Sequence, residues 1–259
     1  MKRKIRTMED LLSLLDQVFG PDADRWTQAG AAWWDRFYAD RAKPVPFFAA
    51  KPDENLVSHI EGGTLLPGRV LEVGCGPGRN AVYLAAAGFE VDAVDLSPAA
   101  VAWGEERARE AGADVRFRCG DVFSLDLPAR RYSLVYDSGC LHHLPPHRRV
   151  SYLNLLDRVL LPGGHLGVTC FAAGAMGSEL PDEELYRQAG LHGGLAFTPA
   201  ELRWLFSDFT EVELRPMREQ PPNAPVMGVP FLYTGLFRRA TGNLAAGKEK
   251  VFGNLTESV

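Results

Sequence analysis

This sequence predicts an α/β fold, a largely parallel sheet with helices on both faces. Two observations carry that expectation. From Arg69 to Phe171, short apolar runs alternate with stretches of helical periodicity. Strands separated by helices pair in parallel, and the helices cover the sheet. The second observation is a glycine-bearing turn, Val73-Gly74-Cys75-Gly76-Pro77-Gly78, that joins the first of these strands to the first helix. A helix N-terminus there presents unpaired N–H groups and positive potential.

The elements follow in order. Leu11, Leu12, Leu14, Leu15, Val18 and Phe19 recur at helical spacing, and Gly20-Pro21 stops that helix. A second helix is expected over Trp26 to Arg41, carrying Trp33, Trp34, Phe37 and Tyr38. Pro44, Pro46 and Pro52 force an extended link. Asp53 then caps a helix running to about Glu61. Val70 to Val73 is the first strand of the sheet. A helix through Ala81, Leu84, Ala85 and Ala87 ends at Gly88, and Glu90 to Val94 is the second strand. Ser97-Pro98 opens a helix, with serine at the N-cap and proline at the first helical position. Val115 to Arg118 and Tyr132 to Tyr136 are the third and fourth strands. His147 to Leu161 is helical, and Pro162-Gly163-Gly164 turns the chain into a fifth strand, His165 to Phe171.

Beyond this the pattern loosens. Ala172 to Phe197 is a long glycine-bearing segment with no assigned element. Thr198-Pro199 starts a helix through Leu202, Leu205 and Phe206. Glu211 to Pro216 and Phe231 to Arg239 are two more strands, joined by the proline-rich stretch Gln220 to Pro230.

Bulk properties narrow the function. The 259 residues are long for one average domain and short for two, so one embellished domain is expected. The net charge of −5 disfavours a nucleic-acid partner, since such proteins usually present a basic face. The one dense basic run is Lys2-Arg3-Lys4 with Arg6, at the N-terminus, and it reads as a solvated tail. Cys75, Cys119, Cys140 and Cys170 form no CxxC pair, so no zinc ribbon or thioredoxin-type site is indicated. Scattered single cysteines fit reduced thiols and a cytoplasmic protein. No apolar run reaches the ~18 residues of a membrane-spanning helix, so no membrane partner is expected.

The glycine turn departs from two familiar patterns. The dinucleotide fingerprint places a third glycine where this chain has Arg79. A nucleotide-phosphate loop would need Gly-Lys-Ser/Thr, and none follows. The flanking acids give the turn its meaning. Glu72 lies two residues before Gly74, and Asp95 ends the second strand about 20 residues after the turn. A carboxylate in that place can accept both hydrogen bonds of a ribose diol. Asp121 and Val122 follow the third strand, where an acid and an apolar residue can meet an adenine amino group and ring.

At these residues the chain resembles the class I S-adenosylmethionine-dependent methyltransferases. Val70-Leu71-Glu72-Val73-Gly74-Cys75-Gly76-Pro77-Gly78-Arg79-Asn80 is similar to their first motif. Ala93 to Pro98 is similar to the second, Cys119-Gly120-Asp121-Val122 to the third and Tyr132 to Asp137 to the fourth. The resemblance implies a Rossmann-like seven-stranded, mostly parallel sheet in the order 3-2-1-4-5-7-6, with Phe231 to Arg239 as the antiparallel strand. It implies S-adenosylmethionine as cofactor and S-adenosylhomocysteine as product. Glu72, Gly74, Cys75, Gly76, Gly78 and Asn80 would surround the methionine part. Asp95 and Leu96 would take the ribose, Asp121 and Val122 the adenine, and Asp137 and Ser138 would stand at the mouth near the methyl group. The implied division is 1–62 as an N-terminal helical lid, 63–240 as the cofactor-binding domain and 241–259 as a C-terminal tail.

The acceptor is less legible. An (Asp/Asn)-Pro-Pro-aromatic motif after the fourth strand would indicate an amide or base nitrogen. Pro145-Pro146 lacks both flanks. His143 or His142 is a candidate general base, since imidazole titrates near neutral pH, and Asp137 is a third catalytic candidate. His143 and His147 have i, i+4 spacing, but no third ligand accompanies them and no metal is expected. An N-terminal segment and an insertion after the fifth strand resemble, loosely, the closures of the thiopurine and tellurite-resistance small-molecule enzymes. Tyr38, Phe47, Tyr186 and His192 are therefore expected to form a lid over a small-molecule acceptor. The competing readings are a protein or RNA methyltransferase, a cofactor-binding protein that transfers no methyl group and, more distantly, a nicotinamide dehydrogenase. Oligomeric state is not legible.

Overall fold

The computed structural model describes residues 4–241. The expected tail at 241–259 lies outside the described residues apart from Thr241, as do Lys2 and Arg3 of the basic run.

Seven strands form one sheet: β1 (Arg69–Val73), β2 (Glu90–Asp95), β3 (Val115–Cys119), β4 (Tyr132–Ser138), β5 (Leu160–Phe171), β6 (Phe209–Pro216) and β7 (Leu232–Arg239). Their order is β3-β2-β1-β4-β5-β7-β6, as expected. β1 to β5 run parallel, and β7 is antiparallel to both β5 and β6. The helices are α1 (Met8–Asp16), α2 (Ala31–Ala39), α3 (Glu54–Glu61), α4 (Arg79–Ala86), α5 (Pro98–Ala111), α6 (Arg148–Val159), α7 (Asp182–Gln188) and α8 (Pro199–Leu205).

Side chains alternate across each strand, so a central strand feeds two cores. Leu71 and Val73 of β1 join Val94, Val135, Leu166 and Val168 in one cluster, which α6 and α8 cover with Leu155, Leu156, Val159 and Leu202. Val70 faces the other way. It meets Val91, Ala93, Leu134 and Leu236, with Leu56 of α3 and Ala81 and Leu84 of α4. Each face therefore carries its own helices.

Register sets the location of the site. Val73 lies beside Val94 on one side and Asp137 on the other, and Asp95 lies beside Cys119. The carboxyl ends of β1 to β4 thus finish on one edge, where the glycine turn, Asp95-Leu96, Gly120-Asp121 and Ser138-Gly139 emerge together.

Several local expectations are corrected. The helix expected over Trp26 to Arg41 is shorter, preceded by a 3-10 turn at Gln28–Gly30. Trp26 lies outside it, buried, with its indole N–H donating to Asp16 at 2.8 Å. Asp53 precedes α3, yet its side chain makes no cap bond, because other groups claim it. Pro162-Gly163-Gly164 lies within β5, which begins at Leu160, and the pairing with β4 slips there between Tyr132 and Leu134. The segment Ala172 to Phe197 contains α7, with Asp182, Glu183 and Glu184 in its first turn, where negative charge suits a helix N-terminus.

The N-terminal helices are tied down at two places. Asp16, at the end of α1, accepts from Trp26, from His147 Nε2 at 2.7 Å and from Arg148 Nε at 3.1 Å. Against its burial, these bonds hold the Asp16 carboxyl well below the usual carboxylate range. α2 and the 3-10 turn Pro46–Phe48 pack Tyr38 and Phe48 on Ala100 and Trp103 of α5. Asp35 accepts from Ala99 N at 3.0 Å and Ser97 Oγ at 2.5 Å. Among the described residues, no helix is long and apolar enough to cross a membrane.

Candidate active site

A cavity of about 370 Å³ opens at the carboxyl edge of the sheet, within the range of small-molecule sites. The glycine turn, the ends of β1 to β4, the N-terminal segment and the loop before β7 all contribute to its wall.

The glycine turn is built by hydrogen bonding and by a lack of room. Cys75 N donates to Val94 O at 3.0 Å, and Gly78 N closes the turn on Cys75 O at 3.0 Å. Gly76 has φ +51°, and a Cβ there would stand 2.9 Å from the Tyr38 hydroxyl. Only a residue without Cβ passes under that phenol. Gly78 has a different purpose from the one expected. It does not line the cavity; a Cβ there would strike the Phe117 ring at 2.8 Å, so it lets α4 pack against β3 and α5.

Three carboxylates meet the cavity. Glu72 is buried on β1, and its Oε2 has no hydrogen-bond partner. Burial pushes its carboxyl up to about 8. Asp95 accepts from Gly76 N at 2.8 Å and Ser97 N at 2.9 Å. Burial lifts it to about 6 in spite of those bonds. Asp121 accepts from Phe123 N and Ser124 Oγ, both at 2.9 Å, which fixes the turn after β3. Leu96 and Val122 stand beside them on the wall.

An ion-paired network lies behind the turn. The Arg79 guanidinium donates to Asp53 Oδ1 at 2.7 Å and to Ser138 Oγ at 2.8 Å. Asn80 donates to Asp53 Oδ2 at 3.0 Å and accepts from Asp53 N at 2.9 Å, while the Tyr136 hydroxyl donates to the same carboxylate at 2.8 Å. This explains why Asp53 does not cap α3. It also turns the Asn80 amide onto Asp53, although Asn80 borders the cavity. A buried pair of this kind is secure only when the remaining lone pairs are also satisfied, and here Asn80 and Tyr136 satisfy them.

The acceptor candidates are partly redistributed. His142 and His143 both line the cavity. His142 stacks on Phe171, with ring centroids 3.7 Å apart, and its Nδ1 is buried without a partner. His143 sits edge-on to Trp34 at 5.1 Å. Burial and then Arg25 bring His143 down to about 4, and burial lowers His142 as well. Both are neutral imidazoles of weak basicity. Asp137 does not face the cavity. Its carboxylate accepts from Gly139 N at 3.0 Å, Cys140 N at 2.7 Å and Leu141 N at 3.0 Å, so it shapes the loop after β4. Tyr38 and Phe47 line the cavity, whereas Tyr186 and His192 do not. The Tyr186 hydroxyl accepts from His147 N at 3.1 Å and lies 2.9 Å from His147 Nδ1. His147 is therefore committed to Tyr186 and Asp16, and no metal-ligand cluster occurs among the described residues. Other wall residues carried no expectation as site residues, among them Arg25, Phe171, Met176, Met227 and Phe231.

The cavity fits a nucleoside-sulfonium cofactor. The orphaned Glu72 oxygen is an acceptor awaiting a donor, Asp95 ends β2 where a ribose diol is held in such folds, and the turn leaves no room for side chains. The arrangement is similar to the cofactor site of the class I S-adenosylmethionine-dependent methyltransferases. Residues 70–164 match the family described as "Methyltransferase domain".

The chain is 30% identical over 131 residues to 2-heptyl-1-hydroxyquinolin-4(1H)-one methyltransferase of Mycobacteroides abscessus, covering 50% of this chain and 57% of that protein. It is 27% identical over 135 residues to ubiquinone biosynthesis O-methyltransferase of Coxiella burnetii, covering 52% and 54%. The matches thus span about half the length of these curated relatives. Among solved structures, 1,6-didemethyltoxoflavin-N1-methyltransferase of Burkholderia thailandensis, with S-adenosylhomocysteine bound, superposes with a TM-score of 0.55 at 22% identity, covering 93% of each chain. TehB of Haemophilus influenzae superposes with a TM-score of 0.54 at 18% identity, covering 71% of this chain and 61% of that one. Both share the fold.

Proposed function

We propose that this chain transfers a methyl group from S-adenosylmethionine to oxygen, nitrogen or sulfur of a small-molecule acceptor. One observation carries the reading. The unpartnered Glu72 oxygen, Asp95 and the glycine turn share a single cavity with an aromatic and thioether wall suited to a second molecule's apolar surface. The names of the curated relatives support small organic acceptors.

Glu72 would take the cofactor's ammonium, which favours its ionised form. The N–H groups of the turn would receive the carboxylate, and Asp95 the ribose hydroxyls. Leu96 and Val122 would flank the adenine, with Asp121 toward its amino group. When bound, S-adenosylmethionine supplies a methyl group on a sulfonium, already an excellent leaving group. The chain's task is then to orient the acceptor and exclude water. Tyr38, Trp34 and Phe47 of the N-terminal segment and Met227 and Phe231 of the loop before β7 would form the lid. The four cysteines form no disulfide, which would fit a cytoplasmic setting.

Isotope-labelled methyl donor incubated with the protein and a metabolite extract tests this. Label should enter the small-molecule fraction. Label entering only protein or RNA, or tight cofactor binding with no transfer, would refute the proposal.

A further inference from the structure

The aromatic wall carries one cation with no acid of its own. Two arginines border the cavity, Arg79 and Arg25. Arg79 is committed to Asp53 and Ser138. The Arg25 guanidinium lies 3.9 Å over the Trp33 ring, and it donates to the Asp24 carbonyl at 2.8 Å. No carboxylate lies within ion-pair distance of it among the described residues. The nearest acid is otherwise occupied: Asp24 accepts from Trp26 N at 3.0 Å, Thr27 N at 2.9 Å and the Thr27 hydroxyl. A half-buried guanidinium offers five donors in a plane, and the structure supplies an acceptor to only one nitrogen.

The same wall lacks a base. Asp137 is turned into its own loop. His142 and His143 are neutral and weakly basic. Burial pushes the Cys140 thiol and the Tyr38 phenol upward, away from useful proton transfer. Glu72 and Asp95 belong to the strand ends beside the glycine turn, and the Asp121 carboxylate is held by Phe123 N and Ser124 Oγ in the turn after β3. The charges that act on Arg25 are Asp22, Asp24 and Arg36, and His143 is the titratable group of the wall that feels it.

We propose that the acceptor is a flat, largely apolar molecule bearing an acidic hydroxyl, and that Arg25 binds this oxygen as its anion. The inference rests on the methyl-transfer reading. The acceptor gives its proton to solvent on binding. The oxyanion's lone pair then forms the O–CH3 bond as the S–CH3 bond breaks. Sulfur keeps that electron pair and becomes a neutral thioether, so one anion and one sulfonium yield two neutral products. No protein base takes part.

The test uses 4-nitrophenol, whose ionised form is yellow, bound to the protein saturated with S-adenosylhomocysteine. That cofactor product carries no sulfonium, so the protein's own field is read. The titration midpoint of bound 4-nitrophenol should fall about one pH unit or more below that of the free phenol, a tenfold preference for the anion. Arg25→Met should abolish the fall, and Arg25→Lys should keep most of it. Binding of neutral nitrobenzene, followed by quenching of tryptophan fluorescence, should survive in Arg25→Met and show that the cavity is intact. An unshifted midpoint, a shift that survives Arg25→Met, or no binding of 4-nitrophenol to the complex overturns the proposal. If S-adenosylhomocysteine binds while the midpoint stays put, only this inference fails. If S-adenosylhomocysteine itself does not bind, the methyl-transfer reading fails with it.

Discussion

Glu72→Gln should stabilise the cofactor-free protein and weaken cofactor binding together. In the folded chain burial holds the Glu72 carboxyl at about 8, against 4.5 for an ordinary glutamate. A carboxyl raised on folding contributes stability below its unfolded value, and that contribution is lost as pH rises toward the folded value. Asp95 and Asp137, each raised to about 6 from 3.8, give the same sign, but their loss is nearly complete by about pH 6. Between about pH 6 and about pH 8 the buried His142 and His143, lowered from 6.5 on folding, act with the opposite sign, so the Glu72 contribution is read as the difference between wild type and Glu72→Gln. Two pH units at about 1.4 kcal/mol each amount to roughly 2–3 kcal/mol of stability lost over that interval. Glutamine keeps the shape and cannot ionise, so the variant should lose this contribution, and its stability should exceed that of the wild type by roughly 2–3 kcal/mol more at about pH 8 than at about pH 6. Urea unfolding of both proteins at the two pH values measures it. Binding of S-adenosylhomocysteine near pH 7 should release close to one proton in the wild type, as the ammonium draws Glu72 into its ionised form, and none in Glu72→Gln. Calorimetry in buffers of differing ionisation enthalpy reads that proton. A variant that keeps the wild-type pH slope, or releases the same proton, would refute the reasoning.

Two further substitutions probe the support of the site. Asp53→Ala leaves the Arg79 charge buried without its partner, which typically costs ~3–5 kcal/mol. Thermal unfolding should fall by about 10 °C, and a change under about 2 °C would show that the network is dispensable. Gly76→Ala adds a Cβ at a positive φ and 2.9 Å from the Tyr38 hydroxyl. About 1–2 kcal/mol of backbone cost should appear as roughly tenfold weaker binding of S-adenosylhomocysteine. Adding Tyr38→Phe should recover part of that loss in a titration, and no recovery would deny the contact.

The legible and illegible parts of this chain divide along a physical line. Sheet order and the cofactor edge rest on local patterns. Apolar strands, Ser97-Pro98 and the glycine turn each declare themselves within a few residues. The acids Glu72, Asp95 and Asp121 sit at strand ends, so the topology alone brings them to one edge. Side-chain partners far apart in sequence leave no such trace. Asp53 resembles an N-cap, but Arg79, Asn80 and Tyr136 reach it across the fold. Asp137 lies near the end of its strand as Glu72 and Asp95 do, yet three N–H groups immediately downstream capture it. Tyr186 and His192 are aromatic in an irregular segment, and nothing local shows that His147 takes the first away from the cavity. α7 did carry a signal in its acidic first turn, hidden by the glycines around it. Arg25 carried none, since its significance is the carboxylate it lacks.

The central claim is that this cavity binds the nucleoside-sulfonium cofactor and that Asp95 holds its ribose. Calorimetric titration of the wild type and Asp95→Ala with S-adenosylhomocysteine, with NAD as the comparison ligand, tests it most directly. The wild type should bind S-adenosylhomocysteine at one site and ignore NAD, and Asp95→Ala should bind at least about tenfold more weakly, as the loss of a charge-assisted hydrogen bond implies. Binding of NAD in its place, or an Asp95→Ala titration indistinguishable from the wild type, would contradict the account.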